Sequence, residues 1–175
     1  MNNVFIDVDY AQIYKHGQKI GGDVFLLSRN PDNNQIVATL SDGLGSGVKA
    51  NVLASLTAHM AHKLSFSPIN LNNSARIIMD TLPVCKERKI SYSTFTIADI
   101  RYKDSNTDIE VNLVEYDNPP SLRFSGSSAV KWNRVKTELQ REGAFKKEIV
   151  SSSQFKLSIG DRLVMFSDGV TQSGL

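Results

Sequence analysis

The tripeptide Ser-Asp-Gly occurs twice in this chain, and each copy follows a short apolar run. One copy is centred on Asp42, after residues 35–40, and the other on Asp168, after residues 162–166. Both runs have the length and the β-branched or aromatic content of a buried strand. The pattern therefore predicts two carboxylates, each at the end of a buried strand.

A third acidic residue, Asp23, follows two glycines and opens another strand-like run at residues 24–27. If the three strand ends share one edge of a sheet, Asp23, Asp42 and Asp168 converge. Carboxylates gathered in this way repel one another unless a cation lies between them, and Mg²⁺ or Mn²⁺ favours ligands that are all oxygen. The three positions together predict a metal site.

Each Asp-Gly pair also has a simpler interpretation, because Asp-Gly is a common two-residue hairpin turn. Three observations favour the metal site: both pairs follow an apolar run, both have the same preceding serine, and the first pair leads into a helix. The glycine has a use as well. Since Gly43 lacks a Cβ, its backbone can approach a cation closely enough for its carbonyl oxygen to become a ligand.

Other reactive groups give weaker signals. The glycine-rich residues 43–47 precede a helix, which suits a phosphoryl group, but they match neither the dinucleotide nor the Walker fingerprint. His59 and His62 have a spacing that suits a metal, yet no Glu or Cys completes a zinc motif, and helix surface is favoured. The single cysteine, Cys85, cannot form an intrachain disulfide, which fits a reducing compartment.

Size and charge narrow the function classes. A chain of 175 residues has the size of one domain, predicted to span residues 1–175. A net charge of +2 gives no reason to expect nucleic acid or an anionic membrane as a partner. No apolar run approaches the length of a signal sequence or a membrane span. The sequence therefore predicts a cytoplasmic location, with no membrane segment in this part of the protein.

Two helices in the middle of the chain are predicted to position the first carboxylate. The first spans residues 48–64, and the second starts near several asparagines and ends at Pro83. Apolar residues at helical spacing mark the faces expected to pack on the core. These are Val48, Val52, Leu56, Met60 and Leu64 in the first helix, and Leu71, Ala75, Ile78, Met79 and Leu82 in the second.

Strands are predicted on both sides of this helix pair. Extended segments before it are residues 4–8, 12–19, 24–27 and 35–40; those after it are 91–101, 108–117, 122–124, 130–132, an edge strand at 145–150, and the run at 162–166. Most connections look like hairpins, and there is no regular alternation of strands and helices. The order predicts an α+β fold with antiparallel sheets.

Several of these segments resemble a known family, the metal-dependent protein phosphatases (PPM), and specifically the bacterial branch typified by the sporulation stage II protein E phosphatase. The order and spacing of the segments agree with the family as well as their residues do. The similar segments are Gly21-Gly22-Asp23, residues 40–47 with the helix at 50–56, Asn118-Pro119-Pro120, and residues 160–170.

This resemblance implies an αββα sandwich of two antiparallel β-sheets flanked by helices, with a centre for two Mn²⁺ or Mg²⁺ ions at one end. It implies that Asp42 bridges both ions and that the Gly43 carbonyl is a ligand. It also implies that Asp168 binds the second ion and that Asp23 orients a water molecule held by metal. The reaction implied is hydrolysis of phosphoserine or phosphothreonine by metal-activated water, without a protein nucleophile.

The family pattern continues beyond the aspartate matching Asp168 to a last acidic motif, which completes the ligands of the second ion. No residue after Gly169 in this sequence matches that motif. The resemblance therefore predicts a C-terminally truncated PPM fold with an incomplete second site, weak Mn²⁺ binding and slow turnover in this chain.

The resemblance also indicates a substrate, which is expected to be a phosphorylated bacterial signalling protein and, by resemblance, an anti-sigma-factor antagonist. A regulatory domain is a further expected partner. Because residues 43–47 connect Asp42 to the first helix, a domain that displaces the helix at residues 48–64 is expected to move a metal ligand. Two alternatives stay open. One is a catalytically incomplete regulatory or interaction module with the same fold, and the other, more remote, is nucleotide binding.

Overall fold

The computed structural model describes residues 5–14, 16–45, 47–83, 93–102, 109–139 and 147–173. Its elements, in chain order, are two strands, two helices, a longer series of strands and a short final helix. They are β1 (Asp23–Asn30), β2 (Gln35–Gly43), α1 (Gly47–Ser65), α2 (Leu71–Thr81), β3 (Ser93–Tyr102), β4 (Ile109–Tyr116), β5 (Leu122–Ser125), β6 (Ser128–Val130), β7 (Val135–Leu139), β8 (Glu148–Leu157), β9 (Asp161–Val164) and α3 (Asp168–Thr171).

Six strands form one antiparallel sheet in the order β1-β2-β3-β4-β8-β7. The first two make a hairpin whose connection is a short 3-10 turn at Pro31–Asn33. Asn34 closes this turn with a φ of 48°, in the left-handed region that asparagine tolerates better than most residues. The dense turn signal between the two runs therefore has the predicted effect, and it brings the start of β1 next to the end of β2.

A second antiparallel sheet has the order β6-β5-β9, and apolar residues fill the space on both faces of the larger sheet. Period-two alternation along each strand sends neighbouring residues to opposite faces. Along β2, Val37 packs with residues of α1 and α2, whereas Ile36 and Ala38 pack in a cluster that includes Leu163 of β9. The described elements thus form a helix layer, a six-stranded sheet and a three-stranded sheet.

The buried face of α1 differs from the predicted one in the first part of the helix, whereas the predicted Met60 and Leu64 are partly buried against the core. Its buried positions include Ala50, Ala54, Ala58 and Ala61, while the predicted core residues at its start are exposed: Val48 by 64%, Val52 by 58% and Leu56 by 45%. Small alanines let the helix axis lie close to the sheet, where larger side chains would overpack. Both stripes have helical spacing, so periodicity alone could not choose between them. In α2 the predicted positions Ala75, Ile78 and Met79 are buried, as expected.

Several predicted strands differ from the structure. In the described residues 5–14 and 16–19 no strand forms. The segment predicted as an edge at residues 145–150 contributes to β8, which lies inside the sheet between β4 and β7; its earliest residues lie outside the described part. The serines and the glutamine of β8 are poor strand signals, so the sequence did not predict the full length of this strand.

The last strand, β9, is half-buried and not a fully buried strand as predicted. Along it, Asp161 and Leu163 are partly covered while Arg162 and Val164 are exposed, because only one face of the small sheet packs on the core. The predicted piece at 130–132 ends earlier, in β6, and Trp132 lies beyond it, packed against the core. Cys85 lies outside the described residues.

The predicted fold class is confirmed: the chain has a mixed α+β architecture with two packed antiparallel sheets. No helix in the described ranges combines the length and apolarity that a membrane crossing requires.

Candidate metal centre

The β1–β2 hairpin brings the first two predicted carboxylates together. Asp23 is the first residue of β1, Asp42 is the next-to-last residue of β2, and their Cα atoms are direct partners in the antiparallel ladder. Side chains of directly opposed residues lie on the same face of a sheet, with Cβ atoms about 4.5–5.5 Å apart. The Gly43 amide also donates to the Gly22 carbonyl, at 3.2 Å, which extends the pairing past the strand end.

The third carboxylate reaches this position from the far end of the sequence. Asp168 is the first residue of α3, directly after Ser167, whose hydroxyl donates to Oδ2 of Asp23 at 2.7 Å. Ser167 is the N-cap residue of α3 but makes no side-chain capping bond. Its hydroxyl donates to Asp23 and not to an amide of the helix end. This contact links the second Ser-Asp-Gly segment to β1, next to the first segment.

The electrostatics of Asp42 show how closely the three acids gather. Burial, followed by repulsion from Asp23 and Asp168 and by side-chain hydrogen bonds with them, raises the pKa of Asp42 to about 8. A carboxyl group with this pKa is held protonated by its surroundings near neutral pH. The arrangement concentrates negative charge that a cation would neutralise.

The donor set suits a hard divalent cation. Asp23, Asp42 and Asp168 would offer carboxylate oxygens, and Gly43, the residue after Asp42, would offer a backbone carbonyl oxygen. Among the described residues, no three His, Cys, Asp or Glu side chains already stand in ligand geometry around one point. Like-charged groups without a cation turn apart or share protons, so the carboxylates would bind through small rotations and through water, which Mg²⁺ commonly retains.

Gly43 has a packing role that sequence reasoning did not find. A Cβ at this position would lie 2.0 Å from the carbonyl oxygen of Ala50, so only glycine fits between the end of β2 and α1. The loop that follows needs glycine for a different reason, because Gly45 and Gly47 have φ values of 103° and 71°. Ser46 lies outside the described residues. The end of β2 is therefore pressed directly against the first turn of α1.

The main chain of Asp42 is fixed by hydroxyl groups of β2 and β3. Ser41 and Ser93 are both fully buried, and their hydroxyl oxygens lie 2.7 Å apart. Ser93 also reaches the carbonyl oxygen of Asp42, at 3.1 Å. The repeated serine of the Ser-Asp-Gly motif thus has two different uses: Ser41 contacts β3 through the Ser93 hydroxyl and the Thr94 carbonyl oxygen, whereas Ser167 supports the side chain of Asp23.

A fourth acid, Asp117, adjoins the group and was missed from the sequence. It follows β4 with a φ of 53°. Burial raises the pKa of Asp117, and the charges of Glu148 and Asp168 add to this effect. The Asp-Asn dipeptide at this position could have been noticed as a turn, because both residues tolerate the left-handed region, but nothing local indicates that it faces Asp168.

Two other candidates are separate from this centre. His59 is exposed, with its Nδ1 2.7 Å from the Ser55 carbonyl oxygen, and His62 packs edge-on against Phe66. A groove of about 420 Å³ beside the start of α2 contains Asp99, which already accepts a hydrogen bond from Gln35 at 2.7 Å. That groove lies toward the opposite end of the strands from Asp42, since Asp99 pairs with Val37 and not with the end of β2.

Known proteins share the sequence pattern and the fold of this chain. The model of the family described as stage II sporulation protein E (SpoIIE) matches residues 32–174. The chain is 25% identical over 160 residues to stage II sporulation protein E of Bacillus subtilis (strain 168), a match that covers 91% of this chain and 18% of that protein. The chain therefore spans about a fifth of the length of this curated relative.

Solved structures share the fold. The PP2C phosphatase domain of SpoIIE from Bacillus subtilis, solved with a fragment of its regulatory domain, matches with a TM-score of 0.69 and 22% identity over 91% of this chain and 45% of that one. RsbX in complex with magnesium matches with a TM-score of 0.65 and 17% identity over 91% of this chain and 72% of that one.

The RsbU and RsbW domains of Rv1364c from Mycobacterium tuberculosis match with a TM-score of 0.65 and 16% identity, over 91% of this chain and 42% of that one. At these identities the structural matches establish the fold alone, which is that of PP2C-type phosphatases. The family assignment rests on the sequence match over residues 32–174, and with it the predicted resemblance is confirmed. The chain belongs to the stage II sporulation protein E family.

Proposed function

We propose that this chain is a metal-dependent protein serine/threonine phosphatase domain. The observation that carries the proposal is the convergence of three acids: Asp23 and Asp42 are ladder partners, and Ser167, the residue before Asp168, donates to Asp23. Burial and the two neighbouring carboxylates accordingly raise the pKa of Asp42 to about 8. Partly buried carboxylates without a compensating charge destabilise a fold. A cation between the three acids would remove this destabilisation.

In the proposed site, each residue has a distinct task. Asp42 lies between the other two acids and would bind both ions, with the Gly43 carbonyl beside it. Asp168, the first residue of α3, would hold one of the ions. Asp23 would orient the attacking water, and the hydroxyl of Ser167, which donates to Asp23 Oδ2, would keep that carboxylate in position and leave its other oxygen available.

Mn²⁺ or Mg²⁺, when bound, would lower the pKa of water toward neutrality and offset the negative charge of the phosphoryl oxygens. The protein groups then hold the reacting water and the phosphate in line, which is most of what phosphoryl transfer requires of a protein. The first turn of α1 lies next to Gly43, and the free backbone amides of a helix N-terminus would favour an anionic substrate there.

Release of phosphate tests this function. We expect the chain to hydrolyse a phosphoserine protein and an aryl phosphate only when Mn²⁺ or Mg²⁺ is added, and to stop when EDTA removes the metal. Asp42→Asn should lower the rate at least about 100-fold, because an amide cannot bridge two cations. Asp32→Asn, at an exposed acid in the β1–β2 turn, is the matched control and should keep the wild-type rate. Equal activity with EDTA, or in Asp42→Asn, would contradict the proposal.

The substrate class belongs to the same proposal. Given the family, we place the substrate among phosphorylated bacterial signalling proteins, with an anti-sigma-factor antagonist as the specific candidate. A panel of phosphoserine proteins with and without this class, assayed at equal concentration, tests the preference. Equal rates on all members would favour a phosphatase without this specificity.

A regulatory partner is proposed to act through α1. Val48, Val52 and Leu56 form an exposed apolar stripe on this helix, and the opposite side of its first turn touches Gly43. A domain that binds the stripe and shifts α1 would therefore also move the end of β2. Hydrogen exchange with and without the regulatory region of the natural protein should show altered protection within α1; unchanged protection there would refute this link.

The same exposed stripe favours a second candidate, an interaction module without catalysis. In that case partner binding would persist in Asp42→Asn, and no metal would produce phosphate release. Binding of Mn²⁺ with turnover excludes this alternative, whereas partner binding without any metal affinity supports it.

A further inference from the structure

The loop between β4 and β5 contacts β2 and β3 through a side chain that is not a proposed metal ligand. Its residue Asn118 follows Asp117 and is half-buried against the strands that end at the candidate centre. Oδ1 of Asn118 accepts a hydrogen bond from the Thr94 hydroxyl at 2.5 Å. Its Nδ2 donates to the Thr96 hydroxyl at 3.1 Å, and the Leu40 carbonyl oxygen lies 3.5 Å away. One amide side chain therefore joins the loop to both strands.

These contacts fix the orientation of the Asn118 amide. The Leu40 carbonyl oxygen can only accept a hydrogen bond, so the atom that faces it must be the nitrogen, and Oδ1 must face Thr94. The Thr94 hydroxyl has one proton, and Asn118 Oδ1 is its shorter partner, with the Asp42 carbonyl oxygen at 3.4 Å. Thr94 is also the Cα partner of Asp42 in the ladder between β2 and β3. Asn118 thus sets the position of the side chain directly opposite Asp42.

The loop itself is held from its other end. Glu115 is buried, with 5% of its surface exposed. It accepts hydrogen bonds from the Ser121 amide at 2.7 Å and from Arg134 Nε at 2.9 Å. Arg134 also donates to the Ser121 carbonyl oxygen at 2.6 Å, and its guanidinium lies over the Trp132 ring. Asn118 is therefore presented by a loop that is braced at both ends.

We infer that Asn118 and Thr94 form a positioning pair at the end of the β2–β3 ladder. Asn118 fixes the Thr94 hydroxyl, which belongs to the ladder partner of Asp42, and its Nδ2 faces the Leu40 carbonyl oxygen of β2. The pair thereby holds the strand end that carries the Asp42 carboxylate and the Gly43 carbonyl in register for metal binding. This inference rests on the proposed metal-dependent function and adds two residues that are not among the proposed ligands. Groups that orient a ligand through hydrogen bonds typically change metal affinity about 10- to 100-fold when removed.

Calorimetric titration with Mn²⁺, well below the unfolding temperature of each variant, tests the inference. Thr94→Val and Asn118→Ala should raise the Mn²⁺ dissociation constant about tenfold. Thr94→Ser keeps the hydroxyl and should bind Mn²⁺ within about twofold of wild type, a rescue that a purely structural role of the threonine methyl would not produce. Thermal unfolding in EDTA, run in parallel, reports any loss of stability separately.

Thr39→Val is the matched control, because it makes the same substitution at a buried threonine of β2 whose hydroxyl has no hydrogen-bond partner among the described residues. It should leave the dissociation constant unchanged. Wild-type affinity in both Thr94→Val and Asn118→Ala would overturn the positioning role alone. Absence of Mn²⁺ binding in the wild-type chain would overturn the proposed function, and this inference with it.

Discussion

Asp23 and Asp42 stand directly opposite each other in the β1–β2 ladder, as Cα partners at the end where β2 turns toward α1. Nothing in the hairpin itself requires two acids there, and opposed like charges destabilise a strand pair. Ser167 adds a hydrogen bond to Asp23, and Asp168 adds a further negative charge near Asp42. Repulsion among these acids therefore destabilises the end of the β1–β2 ladder, and a bound cation would remove that repulsion.

The first prediction concerns the stability of the metal-free chain. Asp42→Asn removes a carboxyl group whose pKa is raised by burial and by Asp23 and Asp168. We expect its melting temperature in EDTA to rise by about 2–4 °C, the shift that about 1 kcal/mol produces in a chain of this size. Saturating Mn²⁺ should reverse the order, because binding stabilises only the wild type. Differential scanning calorimetry measures both; a variant that melts lower in EDTA would contradict the repulsion argument.

Ser167→Ala provides a second prediction. The change removes the 2.7 Å hydrogen bond to Asp23 Oδ2 without removing any proposed ligand. The Mn²⁺ concentration that gives half-maximal phosphate release should rise about tenfold, since the carboxylate loses its orienting partner. Ser128→Ala, at an exposed serine of β6, serves as the control and should leave this concentration unchanged. If both variants behave alike, Ser167 has no special part in the site.

The contact between β2 and α1 can be tested at Gly43. A methyl group in Gly43→Ala would lie 2.0 Å from the Ala50 carbonyl oxygen, which forces the strand end and the helix apart. We expect a loss of at least about 3 kcal/mol in the free energy of unfolding. Gly126→Ala is the comparison: its φ is 58° but no atom lies near the added methyl, so only about 1 kcal/mol of backbone strain is expected. Urea denaturation of the two variants should rank them in this order.

The buried face of α1 offers a fourth prediction. Ala54 is fully buried, whereas Val52 is 58% exposed two residues earlier on the same helix. Ala54→Leu should destabilise the fold by about 1–3 kcal/mol through overpacking against the sheet. Val52→Ser should change stability by no more than about 0.5 kcal/mol. The opposite ranking in thermal melts would mean that α1 packs through its larger residues.

Acid stability can be predicted at Asp161, the first residue of β9. The Ser158 amide lowers the pKa of Asp161, and the Arg123 guanidinium at 2.8 Å lowers it further. The folded pKa is thus below the unfolded value of about 3.9. Stability from this carboxylate is present above the unfolded pKa and is lost as the pH falls through the folded pKa.

Asp161→Asn should therefore be less stable than wild type by about 1 kcal/mol at pH 7. The difference should shrink as the pH falls below about 4. Unfolding free energies measured from pH 2 to 7 for both proteins check this. A gap that is constant across the whole range would show that the Asp161 charge does not matter.

Much of the candidate site could be predicted because its signals are local. The apolar run before Asp42 places that carboxylate at the end of β2, and the turn residues between β1 and β2 set the hairpin that pairs Asp23 with Asp42. The prediction was wrong for Asp168, because β9 already ends at Val164 and Asp168 begins α3. The hydroxyl and amide network around the Asp42 carbonyl had no such signal. Ser93 and Thr94 lie beside this carbonyl oxygen although they are about 50 residues away in sequence. Asn118, almost 80 residues away, contacts Thr94 and not the carbonyl itself.

The sequence by itself determined the two long helices, the strands β1 to β5, the family, and the residue types that gather at one strand end. Those properties depend on periodicity, turn chemistry and short motifs, all of which act over a few residues. Only the tertiary structure decided that the alanines of α1 face the sheet, that β8 lies inside it, and that Ser167 donates to Asp23. These features depend on how closely distant surfaces can approach, and such packing has no counterpart in the local pattern.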